Sequence, residues 1–178
     1  MRQMGDIEIR SASINDLRAI MDIKNYYINN TYILWRKNCL TMEEMLLWWG
    51  EHRRNAHPIL VAVEQQSGGE FVIGYANLSS FREAEGYKHT AENSIYLLPE
   101  YEGKGLGRKL MKKLLNAGVR AGIRVVTAWI DAENESSIAF HESLGYSLVG
   151  TMADVGMIDE KLRSVVILDI NLTDRFKE

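Results

Sequence analysis

The chain has 178 residues, a hydrophobic fraction of 46%, a charged fraction of 25% and a formal net charge of −3. That balance predicts one globular domain spanning 1–178; it excludes a disordered chain and the basic surplus of a dedicated nucleic-acid binder. Cys39 is the single cysteine and His52, His57, His89 and His141 lack metal-ligand spacing, which excludes an internal disulfide and sets the expectation of no bound metal.

The opening MRQMGDIEIR lacks the apolar stretch of a secretion signal, and no run approaches the roughly 20 apolar residues of a membrane-spanning helix. The expectation is a cytoplasmic protein without membrane association. Ile7 to Ile9 reads as a first strand. Ser13-Ile14-Asn15-Asp16 reads as a helix start, with Ser13 and Asp16 placed as a short capping box, and Leu17, Ile20, Met21 and Ile28 keep helical spacing. Thr41-Met42-Glu43-Glu44 repeats the box before a second helix. Its apolar side includes Met45, Leu46, Trp48 and Trp49, a stripe suited equally to a core or to an interface.

Ile59 to Val63 and Phe71 to Leu78 read as strands joined by a polar turn at Gln66 to Gly69, a hairpin pattern. A polar loop from Ser79 to His89 leads into a strand from Thr90 to Leu98. After a Gly-rich turn comes a helix with Leu106, Leu110, Leu114 and Leu115 on its apolar side. Val125 to Ile130 is a strand, Asn134 caps a helix stopped by Gly145, and strands at Tyr146 to Met152 and Ser164 to Ile170 follow. Hairpins mixed with strand–helix–strand crossovers predict an α/β (α+β) fold with a mixed, mostly antiparallel sheet of about seven strands flanked by helices.

Glu102-Gly103-Lys104-Gly105-Leu106-Gly107 lies between a strand and a helix. Glycines turn tightly and expose N–H groups, while the following helix adds unpaired donors and a positive dipole end, which together suit a phosphate or pyrophosphate. A dinucleotide fingerprint fails because Arg108 stands where its third glycine belongs, and no Walker ending occurs. Taken alone, the turn fits a plain strand-to-helix connection as well as an anion site.

The same turn resembles the coenzyme motif of the GCN5-related N-acetyltransferase superfamily, Gln/Arg-x-x-Gly-x-Gly/Ala, with Glu102 at the first position. Asn134 to Tyr146 is similar to that superfamily's second signature. Thr90-Ala91-Glu92-Asn93-Ser94-Ile95-Tyr96 resembles the Thr-x-Glu-x-Ser-Val-Tyr segment of the phosphinothricin and methionine sulfoximine acetyltransferases. The resemblance implies direct attack of a primary amine on acetyl-CoA in a ternary complex, with Glu92 as base, either directly or through water. His141 has two readings: a proton donor or relay near the sulfur, or a hydrogen-bonded core histidine.

Further implications of the resemblance concern binding. Acetyl-CoA is held by Gly103, Lys104, Gly105, Leu106, Gly107, Arg108 and Asn134, with the backbone of Ile95, Tyr96 and Leu97 along its pantetheine arm. The acceptor is a small-molecule amine, amino-acid-like, met by Trp35, Arg36, Phe81, Arg82 and Tyr87. Ala84 occupies the slot of a second arginine found in phosphinothricin enzymes, and the C-terminal family pattern is only faintly echoed at Ile158 to Ser164. A peptide N-terminus, a lysine, a polyamine, or coenzyme binding without turnover are the alternatives. The subfamily implies a homodimer.

Overall fold

The computed structural model describes residues 5–173. Seven strands form one sheet in the order β1-β2-β3-β4-β5-β7-β6. They are β1 (Ile7–Ser11), β2 (Ile59–Gln66), β3 (Gly69–Ser80), β4 (Thr90–Leu97), β5 (Val125–Asp131), β6 (Ser147–Ile158) and β7 (Lys161–Asn171). Every neighbouring pair is antiparallel except β4 and β5, which run parallel. The mixed, mostly antiparallel sheet expected from the order of elements is therefore present.

Helices cover both faces. α1 (Leu17–Asn30) and α2 (Met42–Arg54) close one apolar cluster over Val61, Val63 and Tyr75. α3 (Leu106–Arg120) closes the other, burying Leu106, Leu110, Met111, Leu114 and Leu115 over Ala62, Ala76 and Val126. α4 (Glu135–Ser143) joins β5 to β6. Alternation along β2 sends Leu60 and Ala62 to one cluster and Ile59, Val61 and Val63 to the other, as expected for a strand covered on both faces.

The helix starts form as the sequence predicts. Asp16 Oδ2 accepts from the Ser13 N–H at 2.7 Å, although the first turn, Ile14–Asp16, is 3-10. The Thr41 N–H donates to Glu44 Oε2 at 2.8 Å and the Glu44 N–H donates to Thr41 Oγ1 at 3.3 Å, completing a capping box. One assignment on α2 is corrected. Leu46 is 49% exposed, because the stripe facing the sheet is Met45, Trp48 and His52, spaced for one helix face. Trp48 and Trp49 both pack against the α1–α2 cluster.

The C-terminal strands extend beyond the predicted bounds. They close on Asp159 and Glu160, both in the left-handed region with φ = 47° and 61°, a two-residue turn without glycine. The residues between Ile158 and Ser164 thus build a hairpin rather than a loop. Within β3 the pairing steps from Gly74↔Ala62 to Val72↔Val63, so Ile73 is an extra residue in the ladder, and its carbonyl accepts from Leu98 N–H at 2.8 Å. Gly74 lies tight against β4, where a Cβ would come within 2.9 Å of the Tyr96 carbonyl oxygen.

The feature that positions the site is a splay. β4 and β5 pair only through Thr90, Ala91 and Glu92 opposite Val125, Val126 and Thr127. Beyond Glu92, β4 continues against β3 and β5 continues against β7, and the two strands part.

Candidate active site

The splay opens into a cavity of about 1010 Å³. One wall is β4 from Glu92 to Leu97, whose edge toward β5 has no ladder partner after Glu92. The opposite wall is Ala128 to Asp131 of β5. Backbone groups on an unpaired interior edge require partners, so this edge is suited to an extended ligand carrying amides.

At one end the wall is the glycine corner. Gly103 and Gly105 take φ = 70° and 79°, conformations that side chains with a Cβ rarely adopt. Gly105 caps α3, so the free N–H groups of its first turn point toward the cavity end lined by Gly103, Gly105, Gly107 and Arg108. Asn134, Ser136, Ser137 and Phe140 face them from α4, and Asn134 Oδ1 accepts from the Ser137 N–H at 3.2 Å. Arg108 reaches across to α4, donating to the Ser143 carbonyl at 3.2 Å and to Ser143 Oγ at 2.8 Å. A helix N-terminus, left-handed glycines and a guanidinium at one corner make an anion site.

Two residues expected at this corner point elsewhere. Leu106 is buried under α3 in the core, because its position faces the sheet. Lys104 Nζ donates to the Glu100 carbonyl at 2.6 Å and does not line the cavity. Glu102, at the motif's first position, does line it, and accepts from the Tyr27 hydroxyl at 2.6 Å. The same hydroxyl lies 2.6 Å from the Leu97 carbonyl, so its single proton serves either the carboxylate or that strand oxygen. Burial first, then the hydrogen bond to Glu102, pushes the Tyr27 phenol well above its ordinary range.

Glu92 stands where β4 and β5 separate. It is partly buried, lines the cavity, and receives no hydrogen bond or ion pair from the described residues. Burial raises its carboxyl above the usual 4.5. A carboxylate held half in the protein with no partner among the described residues is costly, which makes Glu92 a candidate for proton transfer.

His141 lines the same cavity, buried in a hydrogen-bonded chain. Nδ1 lies 2.8 Å from the Ser137 carbonyl, which requires a proton on Nδ1. Nε2 then accepts from Asn93 Nδ2 at 2.9 Å, and Asn93 Oδ1 accepts from the Tyr146 hydroxyl at 2.9 Å. Burial lowers the imidazole's affinity for a proton. Both ring nitrogens are engaged, and the residue lines the cavity wall.

The predicted acceptor residues divide. Trp35 lines the cavity, with φ = 45° and its Nε1–H donating to Asp131 Oδ2 at 2.5 Å. Arg36 does not. It faces a separate cavity of about 340 Å³ and gives its guanidinium to Glu44 at 2.5 Å. The Glu44 carboxylate that completes the α2 capping box also captures this arginine, a pairing the sequence did not announce. Phe81, Arg82 and Tyr87 form a cluster outside the lining, with Phe81 5.5 Å from Tyr87 and 6.5 Å from Trp129, a cavity residue. Sequence reasoning missed Tyr27, Asn93, Trp129 and Asp131. Asn93 was within reach, since it follows Glu92 inside the quoted segment; Asp131 carried no signal.

Comparison with known proteins follows the same outline. The acetyltransferase (GNAT) family model matches residues 20–146. The L-methionine sulfoximine/L-methionine sulfone acetyltransferase of Salmonella typhimurium is 34% identical over 84% of this chain and 85% of its own. An L-amino acid N-acyltransferase of Escherichia coli is 30% identical over 95% of this chain and 96% of its own. A solved phosphinothricin acetyltransferase from Sinorhizobium meliloti, in complex with acetyl-CoA, superposes with a TM-score of 0.85 at 32% identity, covering 93% of this chain and 88% of that one.

Proposed function

The chain belongs to the acetyltransferase (GNAT) family, acetyl-CoA-dependent N-acetyltransferases, and from that premise we propose that it acetylates the primary amine of a small amino-acid-like molecule. The described residues, 5–173, are read as one such domain. The observation that carries the reading is Glu92, an unpartnered carboxylate at the point where the sheet opens.

The glycine corner fits the diphosphate of the coenzyme, since Gly103 and Gly105 hold conformations that leave amides bare and Arg108 supplies a matching charge. The unpaired edge of β4 fits the amides of the pantetheine arm, along Ile95 and Tyr96. This arrangement leaves the thioester near Glu92. An ammonium has no lone pair, so Glu92 takes its proton, and the raised pKa makes the carboxylate a better base near neutral pH. The amine nitrogen bonds to the acyl carbon, the carbon–sulfur bond breaks with its electron pair on sulfur, and the second proton lost by the nitrogen passes to the departing thiolate, giving the amide and the free thiol. His141 fixes Asn93 beside Glu92 rather than donating a proton, because its only N–H is committed to Ser137.

Arg82 is the cation for the acceptor's carboxylate, on the exposed loop whose Phe81 packs toward the cavity residue Trp129; Arg36 lines a separate cavity, where it pairs with Glu44. A second reading, a cationic amine without a carboxylate, draws on the lining carboxylates that have no ion-pair partner among the described residues, Glu92 and Glu102. Thiol release decides between them. Methionine sulfoximine, methionine sulfone, phosphinothricin and free amino acids are compared with the corresponding amides. The proposal expects turnover with the acids and loss with the amides; the reverse order favours the cationic reading.

The protein acts as a cytoplasmic homodimer. The support for the dimer is the edge strand β6, which presents Leu148, Val149, Met152, Val155 and Met157 at the surface with exposures from 43% to 68%.

A further inference from the structure

Trp35 is held in place by an unusual anchor. Its indole N–H donates to Asp131 at the end of β5, and the ring lies on Gly156 of β6, where an added Cβ would meet ring carbons at 2.5 and 2.6 Å. Asp131 is itself held by further donors. Its Oδ2 also accepts from Arg163 Nε at 2.8 Å and Nη2 at 2.5 Å, and its Oδ1 accepts from the Glu133 N–H at 2.9 Å. The side chains of Arg163 and Asp131 are 6% and 1% exposed. Arg163 also donates to Glu133 at 2.8 Å and lies over the Tyr32 ring at 6.0 Å.

A buried ion pair contributes little to net stability, because desolvation offsets its attraction; what it offers is a fixed geometry. Here that geometry ties the segment between α1 and α2 to the β6–β7 hairpin across the open end of the sheet. With three donors on Oδ2, one on Oδ1 and a side chain almost wholly buried, Asp131 is committed to holding its neighbours.

We infer that Asp131 is a positioning residue: through the indole N–H it sets Trp35 as the wall of the acceptor end, and Arg163 holds Asp131 for that purpose. The inference rests on the reading that Trp35 borders the acceptor. The left-handed backbone at Trp35, which a bulky residue adopts only under constraint, is consistent with a ring held from outside its own segment.

The test uses Asp131→Ala, Trp35→Phe and Trp35→Ala with steady-state kinetics against both substrates. Asp131→Ala and Trp35→Phe each remove one partner of the same hydrogen bond, and Trp35→Phe keeps a ring and leaves the buried ion pair intact, so it reports even if Asp131→Ala folds poorly. Each should raise the acceptor KM about tenfold while the acetyl-CoA KM stays within about twofold, and the double variant should add nothing further. If Trp35→Ala raises the acceptor KM and the other two variants do not, the positioning role is refuted while the acceptor-end reading stands. If Trp35→Ala itself leaves the acceptor KM unchanged, Trp35 does not border the acceptor and the inference falls with that reading.

Discussion

Replacing Glu92 by Gln keeps the shape of the side chain and removes its ability to take a proton. General-base assistance contributes about 10²–10⁴ in rate, or ~3–5.5 kcal/mol of barrier. The upper half of that range applies here, because the other carboxylates that line the cavity among the described residues are engaged: Asp131 accepts from Trp35, Arg163 and the Glu133 N–H, and Glu102 lies at the glycine corner within hydrogen-bond distance of the Tyr27 hydroxyl. Stability should move the other way. Burial raises the folded-state pKa of Glu92 above 4.5, so its neutral form is the one the fold favours. The contribution of that neutral form is complete below 4.5 and is lost as pH rises through the raised folded value. At neutral pH the ionised carboxylate therefore burdens the fold, and Glu92→Gln relieves it. The assay pairs thiol release across a pH series with thermal melts. Wild type should show an acidic limb in kcat/KM lying above the ordinary carboxylate range; the variant should lose the limb and melt no lower than wild type at neutral pH, with the advantage vanishing in acid. A variant within about tenfold of wild-type kcat that keeps the limb would refute the assignment, since the proton would then go elsewhere.

Two further predictions concern the corner and the strand that flank it. Arg108→Glu should raise the acetyl-CoA KM about tenfold at low salt, with the effect shrinking as ionic strength rises, whereas Lys104→Glu should change it little because that amine faces Glu100; equal effects in steady-state kinetics would contradict the placement of the diphosphate. Gly74→Ala should cost about 1–3 kcal/mol, or roughly 5 °C in a thermal melt, because the new methyl is forced against the Tyr96 carbonyl and Leu97; an unchanged melting temperature would mean that β3 and β4 are not so closely set.

Local chemistry made much of this fold legible. The two capping signals, the hairpin turn at the second and third strands, and the glycines opening α3 each act within a few residues, and each formed where the sequence placed it. Glu92 was legible only through the motif around it, since a glutamate in a strand has no meaning by position alone. What stayed hidden depended on residues far apart in the chain. The parting of β4 and β5 after Glu92 follows from which strands β7 and β3 claim, and no local pattern encodes it. Arg36 looked available until Glu44, eight positions on, was seen to hold it. Asp131 meets Trp35 across 96 positions of sequence and Arg163 across 32, so neither pair could be read in advance. The turn at Asp159 and Glu160 escaped notice because it lacks the glycine or asparagine that usually marks left-handed residues.

The central claim is that the opening between β4 and β5 holds the coenzyme with its acyl carbon beside Glu92. A crystal structure of the protein soaked in acetyl-CoA tests it. The account predicts the diphosphate on the amides of Gly103 to Gly107, the pantetheine amides paired with the free edge of β4, and the thioester in contact distance of the Glu92 side chain or of a water bound to it. Density for the coenzyme on another face of the sheet, or with its thioester remote from Glu92, would contradict it.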